Sequence, residues 1–262
     1  MSTLADLVAD GIGIARVVGL VGTNNVATPA SKFDLNAVAV TLRNPDTGQI
    51  ITKHQPGSLT VDVSLAGPSA GGRDQAAAYA ATGFLHIFYI YNPTTKSLQL
   101  IWSSSALAPN LPDGYTFYCF ATTIRYQGAS TITAMVVTGS KVYYCLPSAS
   151  MRVLSNGSTG SPAVVSCSAY TPANQIRTIF RCLLQISSAT IFNAGMDIYP
   201  FGAMDVTVIQ FVINVANTAQ QGTAIVELPL DAGQTFKYTV SQGQSGGAYV
   251  DVIGYVVPNG DV

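Results

Sequence analysis

Short runs of β-branched and aromatic residues recur along this chain, and Gly, Pro, Asn or Asp cuts each one off. They include "AVAVTL" (Ala37–Leu42), "SLTVDVSL" (Ser58–Leu65), "FLHIFYIY" (Phe84–Tyr91), "SLQLIW" (Ser97–Trp102), "YTFYCFATTI" (Tyr115–Ile124), "TITAMVV" (Thr131–Val137) and "KVYYCL" (Lys141–Leu146). Further on come "IRTIFRCLLQI" (Ile176–Ile186), "DVTVIQFVINV" (Asp205–Val215), "TAIVELPL" (Thr223–Leu230), "TFKYTV" (Thr235–Val240) and "AYVDVIGYVV" (Ala248–Val257). Turn signals such as "NPDTG", "NPTT", "LPDG", "YQGAS" and "DAG" separate them. This spacing predicts an all-β chain of antiparallel sandwiches or barrels. Only "STLADLVADG" reads as helical, with Ser2 or Thr3 as N-cap.

The Gly-, Ser- and Asn-rich stretch Leu154–Pro162 reads as a linker or exposed loop. The sequence therefore predicts a helical or extended N-terminal anchor over 1–22 and a first β domain over 23–153. A linker over 154–162 and a C-terminal β-sandwich over 163–262 follow, the last being the usual size for that fold. The 262 residues suffice for two such domains.

Charged residues make up 10% of the chain, against a usual share of about 25%. Net charge is −1 and no Lys/Arg run occurs, so nucleic acid has no electrostatic footprint to meet. So few charges leave the surface to small polar residues or to burial against other subunits, and burial is favoured. Runs such as "IFYIY" and "VIQFVINV" lack the alternation of a strand with one wet face. Their second cover is another sheet, a loop or another subunit. "GIGIARVVGLVG" (Gly11–Gly22) is too short to span a membrane, carries Arg16 and lacks a basic flank. Synthesis without secretion or membrane insertion is the expectation.

Several patterns tempt a catalytic reading. "GPSAGGRD" (Gly67–Asp74) has the glycine spacing of a phosphate loop, but Arg73 and Asp74 stand where Lys and Ser/Thr are needed. The loop reading, with Gly71 and Gly72 supplying positive φ, is preferred. Arg73 and Asp74 then form a local ion pair or an intersubunit contact. "GQSGG" (Gly243–Gly247) fits a nucleophile elbow, yet a strand follows it. The order His54, Asp113, Ser245 could mimic a protease triad, but too little chain follows Ser245; a glycine-rich hairpin is the plainer reading. Among the acids there is one Glu, Glu227. Asp46, Asp113, Asp231 and Asp261 sit at turns as Asx-turn formers. Asp62, Asp205 and Asp251 lie in or beside strands, with no D-x-D on one face. Cys119, Cys145, Cys167 and Cys182 lack metal-site spacing and neither His lies beside one. Cys119 and Cys182 read as small buried residues, and the sequence leaves disulfide pairing open. No catalytic, cofactor or metal residue is assigned. Thirteen Tyr and one Trp would suit sugar binding, though "YYC" (Tyr143–Cys145) and "FYIY" suit core strands equally.

Residues from about Arg16 to Cys145 resemble a domain of tailed-bacteriophage virion proteins, the tail-fibre or tail-associated group. The ordered series carrying it is Gly71–Asp74, the aromatic strand Phe84–Tyr91, the turn Asn92-Pro93, the bend Ser103–Ala108 and "LPDGY" (Leu111–Tyr115). It is followed by a strand pair closing on "KVYYC". The last third, with "CSAYTPANQIRTIFRCLLQI", is similar to a β-sandwich module of phage virions. The resemblance implies a non-enzymatic virion protein made in the host bacterial cytoplasm. It would be a tail fibre or tail/neck adaptor, homotrimeric by analogy with tail symmetry, acting in assembly and host attachment. Its partners would be its own copies and other virion proteins. A capsid decoration or head-fibre protein, or a host-glycan receptor-binding module, is the alternative.

Overall fold

A computed structural model describes residues 16–55, 57–80, 82–187, 192–200, 206–213, 219–241 and 245–258. Among these the chain is all β, with one short 3-10 turn at Ser148–Met151. The segment read as helical, Ser2–Gly11, lies outside the described residues. The chain folds as two compact units. The first is 1–145 together with 257–262, and the second is 146–256.

The first unit contains β1 (Arg16–Val18), β2 (Val21–Asn24), β3 (Lys32–Asn36), β4 (Ala39–Arg43), β5 (Ile50–His54) and β6 (Leu59–Asp62). It continues with β7 (Gly83–Asn92), β8 (Ser97–Ser103), β9 (Phe117–Gly128), β10 (Thr131–Ile132), β11 (Met135–Thr138) and β12 (Lys141–Tyr144). One sheet runs β1-β4-β9-β7-β8, with β5 on β4 and β10 on β9; the other runs β12-β11-β2-β3-β6. Pairing is antiparallel within both sheets. In the second sheet Phe33, Leu35, Val61, Met135, Val137 and Val142 point into the core and alternate with outward residues that are mostly polar, Val136 being an apolar one.

β7 is central to its sheet, and Leu85–Tyr91 are buried throughout. Its rings stack edge-on against β9, with Phe88 5.6 Å from Phe120 and 5.9 Å from Tyr118. The covers are supplied within the unit: the Tyr89 hydroxyl donates to Gln55 at 2.8 Å. Its burial therefore needs no second subunit. "VIQFVINV" does depart from the expected two-sided burial, because Gln210 and Val212 are exposed.

The second unit holds β13 (Arg152–Gly157), β14 (Ala163–Ser166), β15 (Arg177–Ser187), β16 (Phe192–Tyr199), β17 (Val206–Ile213), β18 (Gln220–Leu228), β19 (Thr235–Val240) and β20 (Ser245–Val256). Its sheets are β18-β15-β20-β13 and β14-β19-β16-β17. They face each other as a sandwich, with Phe180 of β15 5.3 Å from Phe236 of β19.

Two predicted boundaries are corrected. Arg16–Val18 and Val21–Gly22 are not an anchor, because β1 pairs with β4 and β2 lies between β11 and β3. Leu154–Gly157 are not a linker but the end of β13, paired with β20. The glycine and asparagine there serve a bulged strand, with two register shifts and Asn156 at φ 54°.

Candidate functional site

The glycine-rich loop has a structural task. Gly71 N–H donates to the Leu100 carbonyl, Trp102 N–H to Gly72, and Asp74 N–H to Trp102, each at 2.8 Å. The loop thus runs beside the outer edge of β8, with Arg73 and Trp102 bridged in parallel, and covers backbone groups that a bare edge would expose. Gly71 takes the expected positive φ of 81°. Gly72 does not; Gly67 is the position with no room, since a Cβ there would fall 1.6 Å from the Arg73 carbonyl oxygen.

Arg73 and Asp74 are both buried, and they do not form the expected ion pair. The Arg73 guanidinium donates to the carbonyls of Val63 at 3.2 Å and Ala76 at 2.8 Å. The Tyr79 hydroxyl lies 2.9 Å from Asp74 Oδ1 and 2.8 Å from the Trp102 carbonyl. Burial and the Asp74 charge push the Tyr79 phenol well above its ordinary pKa. The loop amides are turned to carbonyls, so they form no phosphate cradle. Arg73 thus braces backbone carbonyls, while Asp74 receives a phenolic hydroxyl.

The other candidates are dispersed. His54 Nδ1 donates to the Val38 carbonyl at 3.1 Å, and Asp113 is an exposed turn residue. Both belong to the first unit and Ser245 to the second. Ser245 opens β20, so a strand and not a helix follows the G-x-S-x-G pattern; Gly243 and Gln244 lie outside the described residues. Asp231 is an Asx-turn former as read: Thr235 donates to it through its amide at 2.7 Å and its hydroxyl at 2.6 Å, which lowers its pKa. At Asp46 the turn acceptor is instead Asn44, whose Oδ1 receives the Asp46 amide at 2.9 Å. Asp62 accepts from Ser64 and pairs with Lys32 at 3.6 Å, and Glu227 meets Arg177 at 3.4 Å. Asp205 and Asp261 lie outside the described residues. Cys119, Cys167 and Cys182 are buried, Cys145 is exposed, and all four are thiols. Burial pushes Cys167 and Cys182 to about 12, with Asp231 and Asp251 adding to the respective shifts. His86 shares a 2.8 Å hydrogen bond with Thr123, and burial lowers its pKa to about 4. Among the described residues no cluster of His, Cys, Asp and Glu could hold a metal. No helix there is long and apolar enough to cross a membrane.

One concave surface of the first unit stands out. Cross-strand register places Tyr143, Val136, Thr23, Asp34 and Thr60 in one row on the outer face of the second sheet. The next row holds Lys141, Thr138, Val21 and Asn36. An open groove of about 330 Å³ crosses β11, β2 and β3 on this face. Asp34 is held at its wall by Asn25 at 2.9 Å and Thr60 at 2.6 Å. At one end the groove meets an apolar corner: Val18, Val21 and Val38 are 42%, 47% and 63% exposed. Val38 lies over Gly19, where a Cβ would be 2.8 Å from Val38 Cγ2, and its amide donates to the Val18 carbonyl at 2.9 Å. The sequence reading missed this corner because the valines sit in runs that look like core. Only strand pairing shows which of them turn outward.

No family model matches the chain, and no curated protein matches it. Two solved structures overlap it weakly. A Bacillus thuringiensis Cry1Da tryptic core variant is 10% identical, with 95% of this chain and 53% of that one covered at a TM-score of 0.19. The infectious bursal disease virus Gx strain structure is 12% identical, with 94% and 58% covered at a TM-score of 0.23. The chain spans little more than half the length of either.

Proposed function

We propose that this chain is a non-enzymatic structural protein of a tailed-phage virion, a tail fibre or tail/neck adaptor that works as a homotrimer in assembly and host attachment. The observation that carries the reading is the apolar corner Val18–Val21–Val38 beside the groove of the first unit. In a chain with 10% charged residues, exposed valines grouped at one place are a surface for another protein, here a second copy. Burial of Arg73, Asp74 and Asp251 reduces the exposed charge further. The residues with catalytic potential support the same reading, since His86, Arg73 and Asp74 are turned inward and hydrogen-bonded. The phage assignment rests on the resemblance of residues from about Arg16 to Cys145, and the trimer on tail symmetry.

Light scattering on the purified protein tests this. A trimer is expected, with Val21→Lys and Val38→Asp shifting it towards monomer. A stable monomer at micromolar concentration overturns the assembly reading. Electron microscopy of the intact particle then distinguishes a tail position from a capsid one.

A further inference from the structure

We propose that the outer face of the second unit binds an acidic saccharide unit, in a pocket between β15 and β20. The inference is independent of the assembly reading, because every group it uses belongs to one unit of one chain.

The pocket measures about 230 Å³ and is lined by Gln185, Ser187, Gly247 and Tyr249 among others. Gln185 and Gly247 are directly paired across β15 and β20, and Leu183 and Tyr249 form the next pair but one. The alternation of a strand therefore places Gln185 and Tyr249 on one face. The β13 residue Asn156 sits over Gly247, where a Cβ would meet its Oδ1 at 2.6 Å. Glycine at 247, itself a lining residue, thus leaves room for the Asn156 amide beside the pocket. Gln185 and Asn156 are both exposed.

Tyr249 is a fixed wall. The Arg152 guanidinium lies 4.9 Å from its ring centroid. Arg152 is itself held by Asp251, Nε to Oδ1 at 2.8 Å. Arg181 grips the other carboxylate oxygen at 2.7 Å. Asp251 is 1% exposed, although it stands on the outer face between Arg181 and Arg152. This row carries two cations and one anion, so it is electropositive by one charge, and both guanidiniums keep N–H groups beyond those bonded to Asp251.

The ligand class follows from these parts. A space this small admits about one sugar ring and no drug-sized molecule. A tyrosine ring offers an apolar face to sugar C–H groups, and the amides of Gln185 and Asn156 offer a donor and an acceptor each to ring hydroxyls. A wholly apolar ligand would leave those amides unpaired. The extra positive charge at Arg152 favours a carboxylate on the ring.

Saturation-transfer NMR on the full chain, with glucose, N-acetylglucosamine and glucuronate as probes, tests the site. Glucuronate is expected to bind most tightly, with Kd on the order of millimolar. Gln185→Ala lies at an exposed position and is expected to weaken all three sugars several-fold while the melting curve stays unchanged. Arg152→Gln is expected to erase the preference for glucuronate over glucose. Should that variant fail to fold, raising salt from about 20 mM to about 500 mM on the unaltered protein gives the same readout, since the preference is a charge effect. Absence of transfer to all three sugars overturns the proposal, as does transfer that Gln185→Ala leaves intact. Equal binding of glucose and glucuronate at low salt overturns the acidic assignment.

Discussion

Asp74 and Asp251 are both buried carboxylates, one in each unit, and the chain satisfies them in opposite ways. Asp74 lies in a loop and meets neutral donors, the Tyr79 hydroxyl and, at 3.4 Å, the Asn110 amide. Asp251 lies in a strand and meets two guanidiniums. The adjacent Arg73 bonds carbonyls, and its Nε has no partner among the described residues. A loop brings backbone close from many directions, so its polar atoms can solvate a charge. A strand in a sheet has its backbone paired already, so a buried charge there depends on side chains from neighbouring strands.

That contrast yields graded expectations. The largest effect belongs to Asp251→Ala, which leaves Arg152 and Arg181 facing each other without their shared anion. With both arginines partly exposed, at 27% and 36%, water takes up part of that cost, and a loss of about 3 kcal/mol is expected on chemical denaturation. A loss under about 1 kcal/mol would mean that water already solvates the row.

Next is a pH effect confined to the first unit. His86 is neutral when folded, with its pKa lowered from 6.5 to about 4 by burial. Between those values the unfolded chain binds the extra proton, so stability is complete above about pH 6.5 and falls as pH drops towards 4. The fall amounts to about 3 kcal/mol. Urea titrations across this range should show it, and His86→Gln should flatten the His86 share of the slope.

Arg73→Leu comes third. It strips donors from the Val63 and Ala76 carbonyls, and about 1–3 kcal/mol should be lost. Because the unbonded Nε goes too, the cost should be smaller than that of Asp251→Ala; the reverse order would break the contrast between loop and strand. Smallest is Arg177→Ala, at the exposed pair with Glu227, which should move the melting midpoint by less than about 0.5 kcal/mol equivalent.

Local pattern made the strands legible, and partnership did not follow from it. "TFKYTV" is β19 from end to end, and "FLHIFYIY" lies within β7. "SLTVDVSL" runs past its strand: after Asp62 the chain turns, because Ser64 bonds back to the Asp62 carboxylate and Leu65 to its carbonyl. β13 was missed altogether, since its serine, asparagine and glycine disguise a bulged strand as loop. The saccharide pocket was invisible for a deeper reason. Arg152 and Asp251 are 99 residues apart in sequence and Arg181 is 70 from Asp251. Only the register of β13, β20 and β15 aligns them, and register is fixed by the whole sandwich. The motif "GQSGG" did mark the place, for its last glycine is the one beneath Asn156. It pointed to a backbone requirement and not to a nucleophile.

The chain leaves the first unit after Cys145 and returns to it at Val257, whose amide donates to the Ser140 carbonyl at 2.9 Å. On a ribosome the second unit is therefore made between two stretches of the first, so the first cannot be completed until residue 257 has been added. Until residue 257 has emerged, the Ser140 carbonyl lacks its native donor, and the nascent chain carries an unfinished first unit throughout the making of the second.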